Sequence, residues 1–294
     1  MAPGKTSMSA QRATVVTLFV VCVVASVVAQ ERSARIVSIV PALTEALFAV
    51  GAGAQVVGVG TFDTTPPEVA SRPRVGGLLD PDLERIFALR PDLVVLYGSQ
   101  TDQQSQLVRA GIDVFPYAHG GLTETLATLQ DLAVRVGRSR AGDTLVRNLE
   151  SRLTMLRKQT AGRPRPRVLL VFGREPGSLR NIYASGGTGF LHDLLEAAGG
   201  RNVFANVARE SVQLTSEAIL AAAPEVILEL TYDDRMTAAT QASEVAVWTR
   251  LPSVPAVRGR RVYLLLGNHF VQPGPRIADA AVEMARALHP DVFQ

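Results

Sequence analysis

Short apolar runs and amphipathic segments alternate along the first half of the chain. The apolar runs have the length of buried strands, and the segments between them repeat their apolar residues at helical spacing. Strict alternation of strand and helix is typical of a parallel sheet covered by helices on both faces. The predicted strands are residues 35–40, 56–59, 93–96 and 112–117, and the predicted helices are residues 44–50, 105–110, 123–136 and a short helix with Asp80 as its N-cap and Pro81 at its first position.

The second half of the chain repeats this pattern. Its strands are predicted at residues 167–172, 226–230 and 261–266, and its helices at residues 190–198 and 277–288. Between the halves, residues 138–160 predict one long amphipathic helix, which Gly162, Pro164 and Pro166 terminate. Its apolar face consists of Leu145, Val146, Leu149, Leu153 and Leu156.

An internal repeat indicates that the two halves share one architecture. Residues 83–96 align without a gap on residues 216–229, at a constant offset of 133. Glu84 falls on Glu217 and Pro91 on Pro224, and in each copy a short helix ends at the proline and leads into an apolar strand.

The predicted fold class is therefore α/β, with two Rossmann-like lobes, each a mainly parallel sheet with flanking helices, joined by one long rigid helix. The predicted boundaries are residues 33–137 for the N-terminal lobe, 138–160 for the linking helix and 166–294 for the C-terminal lobe. A single larger α/β domain containing that helix is the alternative.

The N-terminus has the pattern of a secretory signal peptide at residues 1–29. Lys5 and Arg12 precede an uncharged apolar run, and small residues follow it. An uncleaved membrane anchor and lipidation at Cys22 are the alternatives, although a lipoprotein signal would have a small residue where Val21 stands. We expect a periplasmic protein, and because Cys22 is the only cysteine, the mature chain forms no internal disulfide.

Composition and charge exclude several classes of protein. The chain has 294 residues, 47% of them apolar, which is enough for two cores. Lys5 and Arg12 are the only charged residues of the leader, so the mature chain has 28 basic and 27 acidic side chains and a net charge of +1. Basic residues do not cluster with aromatic ones, so we expect no nucleic-acid partner.

The motifs of an enzyme are missing from the sequence. A Gly-x-Ser-x-Gly elbow is absent, and the Gly51-Ala52-Gly53 pair follows a helix instead of preceding one, as dinucleotide binding would require. The four histidines are scattered, so we predict neither a metal site nor a cofactor. An exported α/β enzyme remains the competing class, and a binding protein is the preferred one.

Side chains at the carboxyl ends of the predicted strands are the candidates for ligand contact, because these ends border the crevice of an open parallel sheet. Phe62 and Tyr97 follow strands of the first half, and three candidates follow strands of the second half. These three are Arg174, His269 and Phe270.

Four sequence motifs resemble those of the periplasmic binding proteins for cobalamin and ferric-chelate uptake. They are residues 35–41 (RIVSIVP) with Thr44 and Glu45, residues 83–86 (LERI) with 90–94 (RPDLV), residues 194–200 (LLEAAGG) and residues 273–277 (PGPRI). The resemblance covers nearly all of the mature chain. It implies two lobes on one rigid helix, a ligand held between them, no enzymatic activity, and a monomer that docks on the permease dimer of an ABC importer in the inner membrane.

The same resemblance assigns roles to several candidates. Glu84 and Glu217 match the glutamates that engage arginines of the permease in the cobalamin-binding member, while acids that only compensate the helix dipole are the alternative reading. Phe62, Tyr97 and Phe270 match aromatic contacts suited to a planar macrocycle. The ligand stays open: a corrinoid is preferred, a ferric siderophore comes next and haem third. Leu78, Ser211 and His269 replace tryptophans of the cobalamin-binding member, and Gly77 replaces the iron-ligating tyrosine of haem-binding relatives.

Overall fold

The computed structural model describes Met1, residues 34–232 and residues 235–293. The signal peptide predicted at residues 1–29, with Cys22, lies outside the described residues apart from Met1. None of the helices in the described ranges combines the length and the apolar character that a membrane crossing requires.

A four-stranded parallel sheet forms the first lobe. Its strand order is β2-β1-β3-β4, and every neighbouring pair is parallel. The helices that connect the strands bury one face each against the sheet, as the sequence pattern predicts. The strands are β1 (Ile36–Ser38), β2 (Val56–Val59), β3 (Leu93–Tyr97) and β4 (Asp113–Tyr117), and the helices are α1 (Pro41–Ala49), α2 (Leu83–Ala88), α3 (Thr101–Arg109) and α4 (Leu122–Arg135).

A six-stranded mixed sheet forms the second lobe, with the order β10-β9-β5-β6-β8 and β7 paired with β5. Parallel pairs join β10, β9, β5 and β7, whereas β6 pairs antiparallel with β5 and β8. The strands are β5 (Arg167–Gly173), β6 (Ile182–Ser185), β7 (Arg201–Asn202), β8 (Ser211–Leu214), β9 (Val226–Thr231) and β10 (Val262–Leu266), and the helices are α6 (Phe190–Ala197), α7 (Ser216–Ala222), α8 (Ala238–Ala246), α9 (Pro255–Arg258) and α10 (Ile277–Leu288).

One long helix, α5 (Ser139–Thr160), joins the two lobes. Leu149, Leu153 and Leu156 are buried on its inner face, as predicted, and pack into a core cluster that contains residues of both lobes. The helix packs against α4 of the first lobe and against α6 and α10 of the second, so it is fixed to both. The two-lobed α/β fold is thus confirmed, while the lobe boundaries at residues 33–137 and 166–294 stay predictions.

Two local predictions are corrected. Helix α2 begins after Asp82 and not after Asp80, because the Asp82 side chain accepts a hydrogen bond from the Arg85 backbone N–H at 3.0 Å. Helix α1 begins three residues earlier than the predicted Thr44, since Pro41 occupies its first position, where no backbone donor is needed.

The internal repeat extends to details of the backbone. Helices α2 and α7 begin 133 residues apart, as do strands β3 and β9. Between helix and strand, Arg90 and Ala223 both adopt a left-handed conformation, with φ of 46° and 45°. In each copy an arginine at the start of the adjacent strand caps the helix: Arg35 Nη2 donates to the Leu89 carbonyl at 2.8 Å and Arg167 Nη2 to the Ala222 carbonyl at 2.6 Å. The repeat is therefore structural as well as sequential.

Candidate ligand-binding site

A cavity of about 710 Å³ lies where the strands of both lobes end. The first lobe supplies the loops after β1, β2, β3 and β4, and the second supplies the loops after β9 and β10. This is the crevice in which open parallel sheets bind ligands. The lining residues are Ile39, Pro41, Ala42, Gly60, Thr61, Phe62, Thr64, Leu78, Tyr97, Tyr117, His119, Tyr232, Asn268, Val271, Gln272 and Pro273.

Three rings form an aromatic wall on the first-lobe side of this cavity. The ring centroids of Tyr97 and Tyr117 are 5.3 Å apart with an interplanar angle of 72°, and His119 lies 5.5 Å from Tyr97 and 5.1 Å from Tyr117. The Tyr117 hydroxyl is 3.2 Å from His119 Nδ1, which fixes the histidine ring. Edge-to-face packing of this kind holds the three side chains as one rigid surface.

The two tyrosines of the wall are neutral hydrogen-bonding groups. Burial raises the pKa of Tyr97 above its usual value of 10.0, and the nearby Asp63 charge raises it further. Burial likewise raises the pKa of Tyr117, with a smaller contribution from Tyr97. Both phenols therefore keep their protons at any physiological pH.

The cleft presents almost no formal charge. A smaller cavity of about 290 Å³ continues from the first and shares His119, Tyr232, Val271 and Pro273 with it. Glu210 is the one charged side chain among the described residues that line these two cavities, and neither has a lysine or arginine in its described lining. The surface is suited to a neutral or weakly cationic molecule with an extended flat face.

Phe62 and Tyr97 are the two sequence-predicted contacts that lie on this cavity. Phe62 is 66% exposed, so its ring has free area to offer. It lies beside Gly77, where an added Cβ would be 3.5 Å from Phe62 Cε2. The side chains that sequence reasoning missed are Tyr117, Tyr232 and Asn268, although each stands at or after the end of a strand and the same rule could have found them.

Arg174 lines a separate, smaller cavity that shares Tyr232 with the cleft, and its guanidinium group is engaged by the protein itself. Its side chain is 2% exposed, with Nε 2.8 Å from Glu229 Oε1 and Nη2 2.7 Å from Glu244 Oε2. The Trp248 indole N–H donates to Glu229 at 2.8 Å on the other side. Burial raises the pKa of Glu229, and the indole N–H and Arg174 oppose that shift. This third cavity, of about 210 Å³, borders the network.

His269 and Phe270 line neither of the two cleft cavities. Phe270 is fully buried, and its ring centroid is 4.2 Å from that of His269. His269 Nε2 lies 3.3 Å from Glu283 Oε1 on α10. Their neighbours Asn268, Val271 and Gln272 line the larger cavity instead.

Asp63 lies under the cleft between two lining residues, Phe62 and Thr64. Its side chain is 1% exposed, and neither carboxylate oxygen has a hydrogen-bond partner among the described residues. Burial raises the pKa of Asp63 to about 6, while the nearby Thr44 hydroxyl, the Gly60 backbone and the Arg74 charge hold it down. The cleft floor thus contains a carboxyl group that titrates close to neutral pH.

Glu84 and Glu217 occupy equivalent exposed positions on the two lobes. Each lies in the first turn of its helix, α2 or α7. Hydrogen bonds from its own backbone N–H and then from the Thr215 hydroxyl lower the pKa of Glu217. Three residues after each glutamate stands an exposed apolar side chain, Phe87 (37%) or Leu220 (41%). An acid and an apolar residue therefore recur together on both lobes.

Comparison with known proteins agrees with this architecture. The family model described as "Periplasmic binding protein" matches residues 36–267. The vitamin B12-binding protein of Salmonella paratyphi A is 30% identical over 260 residues, covering 86% of this chain and 90% of its own. An uncharacterized ABC transporter substrate-binding lipoprotein of Bacillus subtilis, YvrC, is 29% identical over 265 residues, covering 88% of this chain and 81% of its own. Among solved structures, the periplasmic heme-binding protein RhuT of Roseiflexus sp. RS-1 has a TM-score of 0.73 and 27% identity, covering 89% of this chain and 100% of its own.

Proposed function

We propose, from the premise that this chain belongs to the periplasmic binding protein family and is the substrate-binding protein of an ABC importer, that it captures a corrinoid between its lobes. The loaded protein then delivers the corrinoid to a permease dimer in the inner membrane. Its relatives are binding proteins, and the chain acts by binding without turnover. It works as an exported monomer.

The observation that carries this proposal is the chemistry of the cleft. Its described lining combines aromatic rings with neutral amide and hydroxyl groups and contains no cationic side chain. A corrinoid has a flat macrocycle whose rim carries neutral carboxamides, so rings and hydrogen-bond donors match it. Haem carries two carboxylates, and burying them without a cation would be costly. Arg174 does not supply that cation, because Glu229 and Glu244 already neutralise it.

Phe62 and Tyr97 are the proposed first-lobe contacts with the macrocycle, and Tyr232 is the one from the second lobe. Phe62 and Tyr232 are 66% and 61% exposed, so a ligand between them buries free aromatic area from both lobes. Apolar burial contributes roughly 25 cal/mol per Å², and aromatic side chains lose little rotamer freedom in the process. Arg174, His269 and Phe270 line neither of the two cleft cavities.

Glu84 and Glu217 are the proposed docking residues for the permease, each with its apolar neighbour Phe87 or Leu220. The glutamates form no ion pair with any residue in the described ranges, so no internal cation competes with an arginine of the permease for bidentate hydrogen bonds. Their equivalent places in the repeat suit a partner with two-fold symmetry.

Haem is the second candidate ligand, favoured by the likeness to RhuT and by the presence of His119 and two tyrosines on the cleft wall. Calorimetric titration of the purified exported protein with cyanocobalamin, cobinamide, haem and a ferric hydroxamate distinguishes the candidates. We expect stoichiometric binding of the two corrinoids and binding of haem at least tenfold weaker. The corrinoid assignment would be refuted if haem bound more tightly than the two corrinoids. It would also be refuted if none of the four compounds bound.

A further inference from the structure

Two sequence motifs far apart in the chain meet at one end of the cleft. The segment 273–277 of the second lobe lies against the start of α1 in the first lobe, so closely that a Cβ on Gly274 would be 3.1 Å from the Ala42 carbonyl oxygen. Only a glycine permits this approach without a shift of the backbone. The contact brings Arg276 beside Glu45, which is 231 residues away in the sequence.

Arg276 and Glu45 form a bidentate ion pair across the two lobes. Arg276 Nε donates to Glu45 Oε1 at 2.6 Å, and Nη2 donates to Oε2 at 2.9 Å. The Glu45 side chain is 10% exposed and that of Arg276 is 31% exposed, so the carboxylate is buried while the guanidinium group remains partly open to solvent. Two parallel hydrogen bonds fix the plane of the guanidinium group.

The fixed guanidinium in turn orients an amide on the cavity wall. Arg276 Nη2 also donates to Asn268 Oδ1 at 2.8 Å, and Asn268 Nδ2 donates to the Thr64 hydroxyl of the first lobe at 3.3 Å. Because arginine can only donate, it holds the amide oxygen toward itself and turns the amide nitrogen toward the cleft. The chain Glu45–Arg276–Asn268–Thr64 crosses between the lobes twice.

The amide nitrogen of Asn268 has one hydrogen to spare. An NH₂ group carries two donors, and Thr64 accepts one of them. The second has no acceptor among the described residues, and both Asn268 and Thr64 line the 710 Å³ cavity. A ligand oxygen at this place would complete the hydrogen bonding of the relay.

We propose that Asn268 is a specificity-determining residue that donates this hydrogen to a carbonyl or carboxamide oxygen of the ligand, and that Arg276 and Glu45 are positioning residues that hold its amide in the donating orientation. This inference rests on the proposed function of the cleft as the ligand site and names the ligand chemistry that one end of it selects. It also makes the ligand part of the connection between the lobes, since the same relay joins both.

Asn268→Asp separates this role from a structural one. The aspartate keeps an oxygen for Arg276 and adds charge to that contact, so we expect the melting temperature to stay the same or rise. It loses both donors and places a charge near the ligand oxygen, so we expect the affinity for cyanocobalamin, measured by calorimetry, to fall at least about tenfold. A merely structural asparagine would move both quantities in the same direction.

Gln272→Glu is the matched control, because it adds the same charge to the same cavity at a side chain that does not contact Arg276. We expect a clearly smaller loss of affinity than for Asn268→Asp. Equal losses in the two variants, or an unchanged affinity in Asn268→Asp, would overturn the proposal, because then charge alone or nothing at this position would matter.

Arg276→Lys tests the positioning role. Lysine keeps a charge for Glu45 but lacks the planar fork that holds Asn268 at the same time. We expect a folded protein whose Asn268 side-chain amide signals shift in the ¹H–¹⁵N NMR spectrum and whose cyanocobalamin affinity falls. Unchanged Asn268 signals would overturn the relay, whether or not the wild-type protein binds any of the tested chelates. Failure of the wild-type protein to bind any of these chelates would by itself refute only the corrinoid function.

Discussion

The two copies of the internal repeat differ sharply at one buried position, which holds Leu96 in the first lobe and Glu229 in the second. Both residues lie on the strand that follows the left-handed residue of the repeat, and they are 1% and 8% exposed. Leu96 packs in an apolar cluster with residues such as Ile86. Glu229 is instead held between Arg174 and Trp248. The same backbone thus accommodates an apolar side chain in one lobe and a charge in the other.

This difference indicates that the two copies share the residues that cap and terminate the helix, whereas the buried side chain of the following strand can differ in polarity. Both copies have a side chain that caps the start of the helix, Asp82 or Thr215, then a left-handed residue, and an arginine that binds a carbonyl at the helix end. The buried side chain was free to change once partners from outside the repeat could neutralise it. In the second lobe, Arg174 is paired with Glu229 and Glu244. Its charge is therefore neutralised within the protein and is not presented to the cleft.

The largest expected effect concerns the exposed glutamate that both copies of the repeat share, Glu84 in the first lobe and Glu217 in the second. We expect the double variant Glu84→Ala with Glu217→Ala to abolish corrinoid uptake in the native host while the affinity of the purified protein is unchanged. The cause would be the loss of both contacts with permease arginines. Uptake of labelled cyanocobalamin and calorimetry measure the two properties.

Glu150→Ala is the control, since Glu150 is an exposed acid on the linking helix. It should leave uptake normal. Reduced affinity with normal uptake per bound ligand in the double variant would show that the two glutamates serve the ligand and not the permease.

Arg174→Met removes the cation that neutralises Glu229, the residue at which the second copy of the repeat differs from the first. It leaves the buried Glu229 and the half-buried Glu244 without a cation, and we expect a loss of about 3–5 kcal/mol in the free energy of unfolding. Denaturant titration measures this loss. Arg180→Met removes an exposed ion pair with Glu175 and should cost less than about 1 kcal/mol.

Replacing all three charged residues of this network by apolar ones tests whether the charges cause the loss of stability. Arg174→Met combined with Glu229→Leu and Glu244→Leu makes the second lobe resemble the first at this site. We expect most of the lost stability to return, because an apolar set of similar volume replaces uncompensated charge. A triple variant no more stable than Arg174→Met would mean that the charges are not the cause of the instability.

Asp63 is a buried acid of the first lobe, as Glu229 is of the second, but it forms no ion pair within the described part of the chain. Its folded-state pKa of about 6 lies above the ordinary 3.8, so the folded protein binds more protons between these values. Stability should therefore fall as pH rises from about 4 to 6, by about 3 kcal/mol, and stay low above that range.

Asp63→Asn removes this titration and should flatten the pH dependence between pH 4 and pH 6. Free energies of unfolding measured at several pH values for the wild-type and variant proteins give the difference directly. A difference that runs the other way, with the wild type gaining stability on the variant as pH rises, would mean that Asp63 is stabilised as a charge.

The smallest effect tests the equivalence of the two copies. Arg90→Gly and Ala223→Gly should each stabilise the protein by about 0.5–1 kcal/mol, because glycine adopts their positive φ without strain. Ala110→Gly at the end of α3, where φ is −83°, should destabilise it instead. Unequal effects at residues 90 and 223, measured by thermal unfolding, would show that the two copies carry different strain.

Continuous apolar runs and helical periodicity allowed most of the fold to be predicted, whereas strands without such a run were not predicted. Helix α5 and strands β3 and β9 have enough residues for the apolar spacing to be unambiguous. Strand β6 has only four residues, one of which, Tyr183, is 40% exposed, so its antiparallel pairing leaves no clear signal in the sequence. The antiparallel part of the second sheet, formed by β6 with β5 and β8, could therefore not be predicted from the sequence.

Some features of the candidate site could be predicted from local sequence, and others depend on contacts between distant parts of the chain. Phe62 and Tyr97 could be named from sequence because the end of a strand is a local feature. The burial of Arg174 could not, since Glu229, Glu244 and Trp248 approach it only in the folded chain. The pairing of Glu45 with Arg276 likewise spans 231 residues, and no local pattern shows that the two motifs meet.

A crystal structure of the protein with cyanocobalamin would show whether the cleft between the lobes is the corrinoid site. We expect a corrin ring in the cleft, in contact with Phe62, Tyr97 and Tyr232, with a carboxamide oxygen within hydrogen-bonding distance of Asn268 Nδ2. A corrinoid bound elsewhere, or a cleft that stays empty at saturating cyanocobalamin, would contradict it.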